Sequence, residues 1–252
     1  LCYNYEINIK MQKLNKLLNI SDNEWPRVIV AWLMMFFLRF GFIVGWTTLI
    51  AVFLGRLGAV YMPTLFLANA ILMMIGAQIY RKLIHKVKRE VLIAISAISA
   101  SLVLLVSIYF INTNLLAFTI TLLIAQSVLL SQLGILLTLF NEDLFTPLES
   151  QRTFPIVESA EIFGGIAGGM ALTLFADSIP AYKFISLWIL SLVIVMVIVL
   201  SFNTSTLDIP KFQQHEVKSQ KKFAEKIKEM SKVPFLKSLM VFVFFNWAIM
   251  NV

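Results

Sequence analysis

The sequence predicts an all-α polytopic membrane protein, and three observations carry that reading. Hydrophobic residues make up 59% of the chain and charged residues only 14%, where a soluble domain carries about 25% charged. The apolar residues gather into six segments, each near the roughly 20 residues that cross a bilayer core of about 30 Å. The basic residues fall almost entirely in alternate connections between those segments.

Residues 1–20 place Ile7, Met11, Leu14, Leu17 and Leu18 among Lys10, Lys13 and Lys16. That spacing suits an amphipathic helix at a lipid surface, and equally a frayed terminus. Ser21-Asp22-Asn23-Glu24 has the pattern of a capping box, with Trp25 and Pro26 just inside the next helix. The first span covers residues 28–54, with Arg39 near its middle, and Gly55-Arg56-Leu57-Gly58 makes a very short connection. The second covers residues 61–80 and the third 91–111. The fourth, residues 115–140, carries Gln126 and Gln132. The fifth, residues 154–176, holds two carboxylates and two Gly-Gly pairs, and the sixth covers residues 181–202. A seventh apolar run opens at Phe235.

Charge placement orients the spans. The N-terminal segment holds four basic residues, the connection after span two five, that after span four Arg152, and that after span six, counted through Lys237, eight. These regions share one side and hold 18 of the 21 lysines and arginines, against Arg56 and Lys183 opposite. The positive-inside rule puts that side in the cytoplasm. The expected location is the inner (plasma) membrane, multi-pass, with a cytoplasmic N-terminus. The net charge of +7 thus points to membrane lipid and not to nucleic acid. The domain reading is a segment at 1–27, a six-helix bundle at 28–202, a Lys-rich cytoplasmic linker at 203–234, and the start of a second bundle at 235–252. The first residue is not Met and residue 252 falls inside an apolar run, so the expectation is a fragment whose second six-helix half lies beyond it. Six spans, a basic linker and further spans is the layout of a transporter built from two halves.

The polar residues within and beside the spans are the candidate site. Arg39 costs at least ~2.5–3.5 kcal/mol to insert, and such residues face a bundle interior or a wet cavity. It either anchors an anionic solute or pairs with Glu158 or Glu161. Those glutamates are three apart and share a helix face, which Gly165 and Gly168 extend. They read as a cavity wall with a coupling group, or as solvated charges near the headgroups. Gln126 and Gln132 need partners inside a bilayer, so they line the cavity or bond to neighbouring helices. Gly164/Gly168 and Gly165/Gly169 are overlapping small-xxx-small pairs suited to close helix packing. Asn141, Glu142 and Asp143 end the fourth span, where the two carboxylates oppose the helix dipole. With Glu149 and Arg152 in the following loop, they read as a cytoplasmic gate that pairs with the basic loop after span two, or as a solvated loop. His85 and His215 read as surface residues in basic loops. One cysteine, Cys2, excludes an internal disulfide. No metal-ligand spacing, catalytic set or phosphate loop is apparent, so neither an enzyme nor a cofactor is expected.

Three stretches resemble the ATP/ADP antiporter (nucleotide exchange) family of the major facilitator superfamily. They are Arg56-Leu57-Gly58-Ala59 with Met62 to Leu67, then Gly76 to Arg81, and Asn141-Glu142-Asp143-Leu144-Phe145 through Gln151-Arg152-Thr153-Phe154-Pro155 to Gly164-Gly165. The similarity covers roughly residues 15–205. It implies a major-facilitator-type fold of two six-helix bundles, a central cavity and alternating access. It also implies exchange of a small anionic solute, a nucleotide or a phosphorylated metabolite. Gly45-Trp46-Thr47-Thr48 stands where family members tend to carry a basic cluster. Two other readings remain open at this point: a transport-inactive membrane domain that anchors or regulates fused cytoplasmic domains, and an ion-coupled carrier of a less charged solute.

Overall fold

The computed structural model describes residues 20–21, 23–84, 86–111, 113–201, 233–236, 238–239 and 241–242. The expected N-terminal surface helix, the linker up to residue 232, His85 and His215 lie outside the described residues. The chain divides into two units, Leu1–Pro210 and Lys211–Val252. In the second, described residues 234–236, 238–239 and 241–242 are helical.

The first unit is helical, with no strand among its described residues. Its helices are α1 (Trp25–Leu57), α2 (Met62–Leu83), α3 (Arg89–Phe110), α4 (Leu115–Leu123), α5 (Ser131–Leu144), α6 (Pro147–Phe175) and α7 (Ala181–Ser201). A 3-10 turn, Ala59–Tyr61, joins α1 to α2 after Gly58, whose φ of 83° favours glycine. A π-helical segment, Ile124–Leu130, joins α4 to α5. Five stretches are long and apolar enough to cross a membrane: α1, the 3-10 turn with α2, α3, α4 through α5, and α7. The glycine-rich α6 is not among them. Its glutamates and four glycines dilute its hydropathy, although at 29 residues it is long enough.

Helix α1 is the organising element. It packs along α6 and along α7; α7 in turn packs on α3, which lies against α4, α5 and the π segment. Helix α2 packs on the π segment. Trp188, Phe118, Met34, Leu49, Ile93 and Leu104 are fully buried between them. The outer surface is apolar as well: Met74, Tyr109, Leu116 and Leu174 are each about 70% exposed. Such a surface suits hydrocarbon, because water penalises large contiguous apolar patches.

Glycines set how closely the helices approach. A Cβ on Gly45 would lie 1.8 Å from the Trp188 ring, and one on Gly41 2.0 Å from Ser191 Oγ. The α1–α7 seam therefore depends on glycines that no small-xxx-small reading of α6 brings to notice. On α6, a Cβ at Gly164 would meet Phe36 O at 2.5 Å and one at Gly168 would meet Phe40 O at 3.1 Å. Gly165 and Gly169 face open space. Only the first of the two expected glycine pairs packs a helix. The face expected to join Glu161, Gly165 and Gly168 is split, because Gly168 turns into α1 and Gly165 away from it.

Two further expectations are corrected. The fourth span is not one regular helix but is interrupted by seven π-helical residues, where the Ser131 hydroxyl donates to Gln126 O at 2.9 Å. The loop expected around residues 141–152 is nearly absent. Helix α5 runs through Leu144, and α6 starts at Pro147. Thr146 caps α6: its side chain accepts from Glu149 N at 3.3 Å while Glu149 accepts from Thr146 N at 2.8 Å. This reciprocal capping box satisfies two otherwise unpaired amides, and proline at the first helical position has no amide to satisfy.

Candidate functional site: a charged helix end and an acidic pocket

The starts of α1, α3 and α6 and the end of α5 meet at one end of the bundle. Three ion pairs join them. Arg27 of α1 binds Glu149 of α6 through both nitrogens, at 3.1 and 3.4 Å. It also donates to Leu144 O at 2.8 Å and lies 5.7 Å from the Phe145 ring centroid. Glu24, buried at 3% exposure, accepts from Arg152 at 2.5 Å and from Ser21 N at 3.0 Å. Arg89, the first residue of α3, pairs with Asp143 and donates to Leu139 O at 3.0 Å. The carboxylate that opposes the α5 dipole is thus matched by a cation that also donates to a carbonyl in the last turns of the same helix.

This arrangement differs from the expected one. Asp143 meets the basic residue at the end of the second connection, but Glu149 and Arg152 pair with Arg27 and Glu24 on α1. Glu142 is exposed and Asn141 is buried. The Ser21 capping box forms only in part: Glu24 reaches back to Ser21 N, yet α1 has no side-chain cap bond. Glu24 serves the Arg152 pair as well, through its other oxygen. Burial raises the pKa of Glu149, but the Thr146 amide and then Arg27 outweigh it, and the carboxyl titrates below its ordinary value.

Further along α1 and α6 lies a pocket of about 550 Å³. The two helices run parallel: Arg27 faces Glu149, Trp32 faces Ser159, and Phe36 faces Gly164. Helix α5 supplies the third wall. The polar lining is Thr138 and Asn141 from α5 with Glu158, Ser159 and Glu161 from α6. Met35, Phe154, Pro155, Val157 and Ile162 supply the apolar walls. Trp32 donates to Ser159 Oγ at 3.2 Å and stacks on Phe36 with ring centroids 5.2 Å apart. Neither glutamate forms an ion pair among the described residues. Asn141 is 3% exposed and its Oδ1 has no hydrogen-bond partner.

The remaining candidates separate from this pocket. Arg39 makes no ion pair with Glu158 or Glu161, because its guanidinium lies over the Phe42 ring, 5.3 Å from the centroid, one helical turn farther along α1. Its Cβ packs near Gly164. Gln126 and Gln132 are buried at 3% and 5% exposure and do not line the pocket. Gln126 belongs to the π segment, where Ser127 donates to Asn69 Oδ1 of α2 at 2.5 Å. Asn141, read from sequence as part of a gate, lines the pocket instead. Its position one turn before the end of α5 was the available signal.

Comparison with known proteins finds no matching family model, no matching curated protein and no matching solved structure.

Proposed function

We propose that the chain is part of a secondary active transporter that works by alternating access and couples transport to a cation or proton at Glu158 and Glu161. The observation that carries this reading is the pocket itself. It has the volume of a small-molecule site. It places two carboxylates, Glu158 exposed and Glu161 half-buried, without ion-pair partners among the described residues, on a helix packed among membrane-length apolar helices. Charged groups at membrane depth persist where they meet a wet cavity, a solute or a coupling ion. Cytoplasmic placement of the charged end belongs to the same proposal and is supported by the distribution of lysine and arginine.

A second reading, exchange of a nucleotide or another phosphorylated metabolite, has one observation in its favour. Arg39 sits within an apolar helix with no carboxylate partner among the described residues. Phosphates are held by several charge-assisted bonds, and the pocket offers carboxylates, so this reading comes second. Full-length protein in proteoliposomes separates the two. Glu158→Gln combined with Glu161→Gln is expected to abolish gradient-driven uptake, while Arg39→Gln leaves it within about threefold. Loss of uptake with Arg39→Gln alone would reverse the order. Gradient-driven uptake unchanged in the double glutamine variant would defeat the coupling role.

A further inference from the structure

We propose that the turn between α2 and α3 binds an anionic phospholipid: its phosphate lies against Lys82, Lys86 and Lys88, and its acyl chains run along the exposed apolar faces of the two helices. The inference needs only that α2 and α3 cross a membrane, and it is independent of the transport proposal.

The turn has a fixed backbone. Ile84 N donates to Tyr80 O at 2.9 Å, Lys86 N and Val87 N donate to Leu83 O at 2.9 and 3.1 Å, and Leu92 N donates to Lys88 O at 2.9 Å. Leu83, Ile84 and Val87 pack against the core. Tyr80 donates to Ser96 Oγ at 2.7 Å and so ties the end of α2 to α3. One turn earlier Gly76 lies close on the π segment, where a Cβ would meet Val128 Cα at 2.9 Å. With the apolar residues of the turn facing the core, Lys82, Lys86 and Lys88 are left exposed.

Charge at this turn is unbalanced. Residues 81–90 hold the cations Arg81, Lys82, Lys86, Lys88 and Arg89 and a single carboxylate, Glu90. At the same end of the bundle Arg89, Arg27 and Arg152 are matched by Asp143, Glu149 and Glu24. Lys82, Lys86 and Lys88 form no ion pair among the described residues. Three like charges on one turn raise one another's energy, and a phosphate among them lowers it.

The second, independent observation is where these lysines fall along the helices. Ile71, Ile75 and Ile79 are exposed on one face of α2, and Lys82 continues that face. Val91, Ile95 and Ile98 are exposed on one face of α3, and Lys88 precedes them three positions before Val91. Each outward apolar stripe therefore ends in an ammonium group, and both ammonium groups stand at the same end of the helix pair. Lysine stems lie along apolar surface while their charged ends reach the headgroup level. An anionic phospholipid offers the matching order of chemistry, hydrocarbon beside the stripes and negative charge at their ends. A free phosphate or a soluble acidic peptide would meet the lysines and leave the stripes uncovered.

The test titrates purified full-length protein in detergent with dioleoyl phosphatidylglycerol, dioleoyl phosphatidylcholine or glycerol 3-phosphate, and counts bound copies by native mass spectrometry. Phosphatidylglycerol is expected to bind saturably and at least about tenfold more tightly than phosphatidylcholine. Glycerol 3-phosphate at equal concentration is expected not to displace it. Lys82→Gln/Lys86→Gln/Lys88→Gln is expected to cut the preference to about twofold or less, while the charge-matched Lys218→Gln/Lys221→Gln/Lys222→Gln keeps it. The lipid comparison on the unaltered protein and on each single lysine variant stands as a test even if the triple variant fails to fold. Equal affinity for the two lipids, or equal loss of preference in the two triple variants, would overturn the inference. Glycerol 3-phosphate bound as tightly as phosphatidylglycerol would also overturn it, in favour of a soluble phosphate ligand.

Discussion

Replacing Arg27 by methionine removes a side chain that joins three helices while keeping most of its apolar stem. Two bonds to Glu149, one to Leu144 O and the contact with Phe145 are lost together. Removing one member of a buried ion pair costs about 3–5 kcal/mol. Here the paired side chains retain 11% and 18% exposure, so water repays part of that loss. The lower end of the range, about 3 kcal/mol, is the expected destabilisation. Arg27→Met/Glu149→Gln should then be less destabilised than the sum of its parts, with a coupling of about 1.5–3 kcal/mol, as contacting residues in one network show. Equilibrium unfolding of purified protein in mixed micelles measures all four corners of the cycle. The pair also sets an acid limit. Glu149 has a folded pKa below its unfolded value of about 4.3. Its contribution is therefore fully present above that value and disappears as pH falls through the folded one. Without Arg27 the depression shrinks, so stability should fall less steeply with acidification in Arg27→Met than in the unaltered protein. A loss below about 1 kcal/mol, additive single and double variants, or identical acid limbs would refute the reasoning.

Two further predictions concern local geometry. Gly164→Ala places a methyl against backbone oxygen Phe36 O, which cannot rotate away, and should destabilise by about 1–3 kcal/mol. Gly165→Ala, next to it but facing open space, should leave the melting temperature unchanged or slightly raised, because alanine favours helix by about 1 kcal/mol. A larger loss at Gly165 than at Gly164 would contradict the α1–α6 packing. Thr146→Ala should cost about 1 kcal/mol through loss of the α6 cap. Amide exchange should then quicken at the start of α6, and unchanged exchange at Glu149 N would show that the cap is not limiting.

Part of this protein is determined locally. Apolar runs of membrane length fold as helices wherever they are placed, because every backbone amide must be satisfied within the segment once water is excluded. Trp25 and Pro26 at the start of α1, the short turn at Gly58 and the sixth apolar run as α7 were legible for that reason. The Thr146-Pro147-Leu148-Glu149 pattern carried the start of α6, although the acidic and polar residues around it read as a loop. Partnership was not legible, because it depends on which helices lie side by side and at what height. Parallel packing of α1 on α6 gives Arg27 to Glu149 and Arg152 to Glu24, more than a hundred residues apart. It turns Gly164 and Gly168 inward and leaves Gly165 and Gly169 open. It also sets Arg39 one turn beyond the pocket that its expected partners Glu158 and Glu161 line. The spacing of those glutamates predicted a shared face. Only the approach of α5 supplied Asn141 opposite them, because a cavity needs walls from several helices and a sequence states one wall at a time.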